Sequence, residues 1–417
     1  MDVYRTIVTS AIFVVLIVVL DLYSWQALRV LIENPQYLRI ARRVHFLLGV
    51  FTVIMLLLLL FVPVLAPLKD FKTYFYAMTI AIYMSKLIVV FFLIFDDIIR
   101  LFRWIFQELF YSTSVADIEG GSDLGRLKFL SQAGLLIGGG LLAMLTKGLI
   151  KGGYDYQVHY TKLKLKNLPD AFRGLKILQI SDIHSGSWRD EHKVQQGIEM
   201  IRQQKADVVF FTGDLVNNSA DEVTPWMQHL SAIKAPMGVY SILGNHDYGD
   251  YLAWDSAEAK AQNLQNLKEA HRQLGWKLMT NEHTYLERGD AKIGLIGVEN
   301  WGLGKRWPKY GKLKESMIGM EDVPVKILLS HDPSHWEAEV TTNHQDIDLM
   351  FAGHTHGMQF GVEWGKFRWS PSRWAYKQWA DLYQDKEQFL YVNRGFGFLG
   401  FPGRVGILPE ITVIELI

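Results

Sequence analysis

Five short blocks of this sequence carry side chains that bind metals. They are Asp182-Ile183-His184, Gly213-Asp214, Gly244-Asn245-His246-Asp247, Ser330-His331 and Gly353-His354-Thr355-His356-Gly357. Carboxylate oxygen and imidazole nitrogen suit hard-to-borderline divalent ions, and Asn245 adds a neutral oxygen. The chain has no cysteine, so thiolate zinc sites, disulfides and cysteine nucleophiles are excluded. A lone histidine is more often structural. A set made of Asp182, His184, Asp214, Asn245, His331, His354 and His356 in equivalent settings points instead to metal-assisted chemistry.

The setting is what makes them equivalent. Each block follows an apolar run of strand length: residues 175–180, 208–212, 238–243, 325–329 and 348–352. Residues 293–298 read as a further strand, and 157–165 alternate apolar and polar as an edge strand does. Helical spacing covers 192–204 and 257–274. Strand and helix in alternation predict an α/β layered domain, whose ligands collect at the carboxyl ends of strands. No Gly-x-Gly-x-x-Gly or P-loop follows any strand, so a dinucleotide or nucleoside-triphosphate site is not supported.

The rest of the chain is different in kind. The 417 residues have a net charge of +0 and are 49% hydrophobic, with a mean hydropathy of +0.08. Zero net charge gives no bulk electrostatic case for nucleic acid. The apolar excess lies before residue 151, in runs over 6–20 (continuing to about 32), 44–67, 74–95 and 129–150. Each reaches or approaches the ~20 residues that cross a bilayer; buried helices of a soluble bundle are the alternative. Residues 96–111 are amphipathic, as expected of an interfacial helix or of one packed on the spans. Residues 112–123 are polar and predict a loop. The expected organisation is a membrane domain over 1–150, with about four transmembrane helices and an interfacial helix, and a catalytic domain over 151–417.

Basic residues set the expected topology. Arg29, Arg39, Arg42 and Arg43 lie in or beside the first loop, and Arg100, Arg103, Arg126 and Lys128 flank the third, against Lys69 and Lys72 in the second. Loops one and three inside put the N-terminus and everything beyond residue 150 outside the cytoplasm. Asp21 and Lys86 fall in or near spans, where they either snorkel to an interface or serve a function.

The ordered blocks Asp-x-His, Gly-Asp, Gly-Asn-His-Asp, His and Gly-His-Thr-His resemble the calcineurin-like metallophosphoesterase family. The opening, from Leu175 to Gly186, and the ending, from Gly403 to Ile417, are similar to those of its bacterial membrane-anchored members. The resemblance implies a two-sheet sandwich flanked by helices, here preceded by an all-α transmembrane domain. It implies two divalent metal ions, for which Mn, Fe and Zn fit the donors equally. Asp182, His184 and His356 would hold one metal; Asn245, His331 and His354 the other; and Asp214 would bridge them. His246 would protonate the leaving oxygen and Asp247 would orient His246. The implied reaction is hydrolysis of a phosphodiester or pyrophosphate bond. The group includes enzymes similar to those that cleave the pyrophosphate of lipid-linked UDP-sugars.

Taken together, these readings predict a multi-pass membrane phosphoesterase of the bacterial inner membrane, its catalytic domain outside the cytoplasm. The expected partners are the lipid bilayer and a phosphorylated small-molecule or lipid substrate, with no nucleic acid. A membrane scaffold or sensor with a ligand-binding phosphoesterase-like domain is the alternative. The basic and aromatic stretch 301–314 suits a phosphorylated ligand or anionic lipid, or is a solvated loop. The Phe396-Gly-Phe-Leu-Gly-Phe401 segment either dips into a membrane or packs under the sheet. Of Trp364, Trp369, Trp374 and Trp379, some are expected in the core.

Overall fold

The computed structural model describes residues 3–62, 68–110, 120–304, 308–365 and 367–417. Its contacts divide the chain into two units, Met1–Lys147 and Gly148–Ile417.

The first unit is built from long apolar helices: α1 (Val3–Leu31), α2 (Pro35–Phe61), α3 (Lys69–Phe110) and α4 (Gly120–Ile150). Four of its stretches are long and apolar enough to cross a membrane: Ile7–Leu31, Pro35–Phe61, Asp70–Phe106 and Gly125–Ile150. Pro35 fixes the start of α2, and Asn34 Oδ1 caps it by accepting from the amides of Gln36 (2.8 Å) and Tyr37 (3.4 Å). Residues 96–110 continue α3 without a break, so the expected interfacial helix is the end of a longer one. Of the loop expected over 112–123, residues 112–119 lie outside the described residues and residues 120–123 belong to α4.

Asp21 and Lys86 do not snorkel apart. Lys86 Nζ donates to Asp21 Oδ1, Tyr83 donates to Asp21 Oδ2 (3.2 Å), and His45 Nε2 meets the Asp21 carbonyl at 2.9 Å. A buried charge needs a partner when no water can reach it. Gly49 leaves the room for this: a Cβ there would fall 1.9 Å from Asp21 Oδ2. Asp96, fully buried, is likewise neutralised by Arg126 Nε at 2.6 Å.

In the second unit the strands are β1 (Gln157–Leu163), β2 (Lys176–Ile180), β3 (Val208–Phe211), β4 (Val239–Ser241), β5 (Lys277–Leu278), β6 (Glu282–Arg288), β7 (Ala291–Gly297), β8 (Lys326–Leu329), β9 (Leu349–Ala352), β10 (Val362–Trp364), β11 (Phe367–Trp369), β12 (Asp381–Asp385), β13 (Gln388–Val392) and β14 (Glu410–Leu416). They form two six-stranded sheets, β1-β14-β2-β3-β4-β5 and β12-β13-β9-β8-β7-β6, plus the β10-β11 hairpin. The chain enters helices α5 (Glu191–Gln203), α6 (Met227–Leu230) and α7 (Ala257–Leu274) between strands of the first sheet.

Alternation along the central strands decides the layering. Ile177, Val208 and Phe210 face Ile327, Leu349 and Phe351 of the other sheet. Leu178, Ile180, Val209 and Phe211 turn the other way, toward Val194 and Ile198 of α5 and Leu267 of α7. Burial on both faces explains why these strands read as continuous apolar runs. The α/β two-sheet sandwich flanked by helices, behind an all-α apolar domain, is thus observed. The edge strand expected at 157–165 is β1, at the rim of its sheet. Edge strands β6 and β12, the hairpin and β13 carry weaker patterns and were not expected.

The first half of the 396–401 segment packs inward, while Leu399 and Phe401 are half-buried and Gly400 is exposed. Phe396 and Phe398 are buried, and Phe396 stacks on Tyr156 with ring centroids 4.4 Å apart. Trp379 is core, whereas Trp364 and Trp374 are exposed. In the 301–314 stretch, Lys305, Arg306 and Trp307 lie outside the described residues; Lys309 sits over the Trp301 ring at 4.1 Å and Tyr310 stacks on Tyr248 at 4.1 Å.

Candidate metal centre

The five blocks meet because parallel strands end together. β2, β3 and β4 are parallel neighbours in one sheet, and β8 and β9 in the other. Their carboxyl ends deliver Asp182 and His184, Asp214, Asn245, His331, and His354 with His356. The turns there are tight. Asp182, His184, Asp214, His354 and His356 all have φ between 46° and 71°, a region that side-chain-bearing residues adopt at some cost and that clusters at functional sites. Gly244 and Gly353 are required by closeness: a Cβ would lie 2.3 Å from Asp214 Oδ1 and 2.0 Å from Ser181 Oγ, respectively.

Two ligand groups result, Asp182–His184–His356 and Asp214–His331–His354, each with its donor atoms within 4.8 Å of one another. In the first, His184 Nε2 and His356 Nε2 are 3.0 Å apart, and His356 Nε2 is 3.2 Å from Asp182 Oδ1. In the second, His331 Nε2 lies 3.1 Å from Asp214 Oδ2, 3.2 Å from Asn245 Oδ1 and 3.3 Å from His354 Nδ1. Asp214 Oδ2 is also 3.6 Å from His184 Nε2, so this carboxylate lies between the groups.

The donor set fits divalent cations. Two buried carboxylates and four imidazoles converge where water is largely excluded, and two facing Nε2 atoms share at most one proton. The protein answers this crowding with opposed protonation. Burial disfavours charge on His331, but the Asp214 carboxylate and its hydrogen bond outweigh that and push it up to about 10. Burial pulls His184 down to about 3, against the attraction of Asp214. Burial would raise Asp182 and Asp214; the neighbouring histidines hold both below the usual carboxylate range. Strongly shifted groups gathered in one buried cluster are characteristic of functional sites.

The remote nitrogens of three of the four histidines are fixed in turn, that of His184 being the exception. His331 Nδ1 donates to the Thr212 carbonyl (2.7 Å), Tyr376 pairs with His354 Nε2 (2.7 Å), and Arg404 Nη2 donates to His356 Nδ1 (3.0 Å). Asn245 Nδ2 donates to Tyr251 (2.7 Å), which leaves Oδ1 for the cluster. Tyr251 also stacks on His246, ring centroids 4.3 Å apart. Tyr376, Tyr251 and Arg404 were not anticipated. Tyr251 follows the Asn-His-Asp block closely, and this proximity is its sequence signal; Tyr376 and Arg404 carry no local signal.

His246 lies beside the cluster, its ring 5.0 Å from that of His184. The expected partnership with Asp247 is corrected. His246 Nδ1 donates to the Asn217 carbonyl at 2.7 Å. The Asp247 carboxylate points the other way and accepts from the amides of Asp214 and Gly244 (both 2.9 Å), Leu215 (2.8 Å) and Val216 (3.3 Å). Four donors saturate a carboxylate. Asp247 therefore ties the Asp214 loop to the Asn245 loop rather than orienting the imidazole. Burial and the Asp214 charge push it up to about 7, with the amides opposing.

Comparison with known proteins follows the same division. Residues 175–358 match the family described as "Calcineurin-like phosphoesterase", and residues 4–153 match "Probable Calcineurin-like phosphoesterase, transmembrane domain". A transmembrane protein with metallophosphoesterase domain from Danio rerio is 28% identical over 64% of this chain; the match spans 59% of that protein's own length. The metallophosphoesterase YkuE of Bacillus subtilis is 29% identical over 66% of this chain and 95% of its own. UDP-2,3-diacylglucosamine pyrophosphatase LpxG of Chlamydia trachomatis is 27% identical, covering 55% of this chain and 81% of its own.

Proposed function

We propose that this chain, which carries a calcineurin-like phosphoesterase domain after a transmembrane domain, is a phosphate-ester hydrolase of the membrane that uses a binuclear centre to hydrolyse a phosphodiester or pyrophosphate bond of a lipid-linked or envelope substrate. The observation that carries the binuclear reading is the position of Asp214 Oδ2, 3.1 Å from His331 and 3.6 Å from His184. Asp182, His184 and His356 would hold one divalent ion, and Asn245, His331 and His354 the other. When bound, such ions supply Lewis acidity toward a phosphoryl group and water.

The chain's own residues do the rest. His246 keeps its Nδ1 proton on the Asn217 carbonyl, which turns Nε2 toward the substrate. As a water oxygen bonds to phosphorus and the phosphorus–oxygen bond to the leaving group breaks, doubly protonated His246 gives its Nε2 proton to the departing oxygen, and the proton lost by the attacking water passes to solvent. Tyr251 stacks on the ring and limits its rotation. Asp247 keeps the Asp214 and Asn245 loops in register.

A lipid-linked substrate is supported by the membrane unit and by the relative whose name specifies a UDP-diacylglucosamine pyrophosphatase. The bacterial relatives favour an inner-membrane location, and the distribution of basic residues favours this domain lying outside the cytoplasm. The decisive experiment uses the full chain, stripped of metal and reloaded with Mn²⁺, Zn²⁺ or Fe²⁺, on the chromogenic diester bis(p-nitrophenyl) phosphate. Turnover restored by metal is expected. Metal binding with no turnover under any ion would favour the scaffold or sensor reading.

A further inference from the structure

The β10-β11 hairpin is turned against the usual rule. Its register pairs Val362 with Trp369, Glu363 with Arg368, and Trp364 with Phe367. Side chains alternate between faces, so Glu363 and Arg368 share one face and Trp364 and Phe367 the other. The charged face is the one held against the protein. Buried Arg394 donates through Nε (3.0 Å) and Nη2 (2.7 Å) to Glu363 Oε1, and through Nη1 (2.7 Å) to buried Glu410. Arg368 pairs with Asp381, which lies 3.6 Å from Arg394. This network fixes which face looks outward, and the outward one is apolar.

Trp364 is 85% exposed and Phe367 62%, and the neighbouring Trp374 is 76% exposed. Val362 and Met358 are exposed as well. Water does not favour so much contiguous aromatic surface, and such patches mark contact with another phase or molecule. The patch borders the metal centre. Met358 follows the His354–Gly357 block directly, Ser370 Oγ donates to the Gly357 carbonyl (2.6 Å), and two residues past Trp374 the Tyr376 hydroxyl meets His354 Nε2.

Tryptophan-rich surface is characteristic of bilayer interfaces, where the indole is amphipathic. The chain already resides in a bilayer, and only residues 151–156 separate the end of its last apolar helix from β1. A bilayer is thus an apolar phase that every copy of the chain brings with it. We infer that the hairpin and Trp374 form a membrane-interface anchor that seats the mouth of the metal centre on the lipid surface. Its substrate is accordingly an amphiphile whose phosphate lies at headgroup level. This second clause rests on the phosphoesterase reading above; the anchor itself does not.

The absence of native cysteine allows a direct test. The full chain carrying Trp364→Cys is labelled with a polarity-sensitive fluorophore and reconstituted in phosphatidylcholine–phosphatidylglycerol vesicles. Gln265→Cys, on the exposed side of α7, is the reference. Quenching by nitroxide lipids at 364 and not at 265 is expected. Equal accessibility of both labels to iodide overturns the anchor. Shielding from iodide without lipid quenching also overturns it, and assigns the patch to a second copy or another protein. In a second arm, Trp364→Ser/Phe367→Ser should turn over bis(p-nitrophenyl) phosphate like the wild type, yet lose roughly tenfold or more on a vesicle-borne fluorogenic phosphodiester lipid, given the apolar area removed. Equal rates on both substrates overturn the substrate class. If the wild type turns over neither probe, the phosphoesterase reading fails, and the label experiment alone decides the anchor.

Discussion

His246 Nδ1 donates to the main-chain carbonyl of Asn217 at 2.7 Å. That carbonyl belongs to a loop held by Glu222, whose Oε2 accepts from the amides of Asn217 (2.6 Å) and Asn218 (3.3 Å). Glu222 thus acts on the imidazole at one remove. His246→Ala should bind metal as the wild type does and lose about 10²–10⁴-fold in kcat, the usual span for a general acid. Glu222→Ala should lose less, because the loop retains its other contacts. Metal analysis and steady-state rates on the same preparations check both, and wild-type turnover in His246→Ala would remove the residue from the mechanism.

Asp214 stands between the two ligand groups, and His354 belongs to one of them. Asp214→Ala should therefore abolish binding at both positions, whereas His354→Ala should leave close to one of about two ions per chain. Elemental analysis after dialysis distinguishes them. Loss of the same fraction in both variants would count against a shared carboxylate.

Asp21 and Lys86 form a buried ion pair among apolar helices. Removing one partner strands the other charge, a change that costs about 3–5 kcal/mol in buried settings. Asp21→Leu should lower the thermal stability of the detergent-solubilised chain sharply. The double variant Asp21→Leu/Lys86→Met should recover most of the loss. A double variant no better than the single one would show that the pair does more than balance charge.

His271 on α7 is buried, with Nδ1 3.0 Å from Ser241 Oγ and its ring packed near Phe211 and Trp276. Burial pulls it down to about 3 from 6.5. A depressed folded value means that the unfolded chain binds the proton first. The stability it contributes is full above pH 6.5 and falls as the pH drops toward 3. The slope is about 1.4 kcal/mol per pH unit for one group. Glu410, drawn down to about 2 chiefly by Arg394 against its burial, adds a loss of the same sign below pH 4.5. His271→Asn should flatten the acid limb between pH 6.5 and 4.5 in chemical-denaturation curves; an unchanged limb would exclude His271 as its source.

Much of this protein is legible in its sequence. The metal-ligand blocks sit directly after fully buried strands, and burial on both faces writes itself as an uninterrupted apolar run. The long apolar helices are equally plain, because a bilayer tolerates few exceptions along ~20 residues. Partners outside the blocks were not legible. Asn217 acts through a backbone carbonyl, which every residue has, and Tyr376 and Arg404 reach the centre from loops with no periodic pattern.

Residue types and local pattern alone determined the ligand inventory, the strand ends that carry it and the apolar helices that precede it. Those features depend on composition over a few consecutive residues. Only the tertiary structure decided that Asp214 lies between two groups, that Asp247 binds loop amides rather than His246, that Asp21 and Lys86 pair, and that the hairpin turns its tryptophan outward. Each of those depends on the order of strands or helices in space. His184 and His356 are 172 residues apart and meet at 3.0 Å, a proximity set by two sheets packing face to face and encoded in no local stretch.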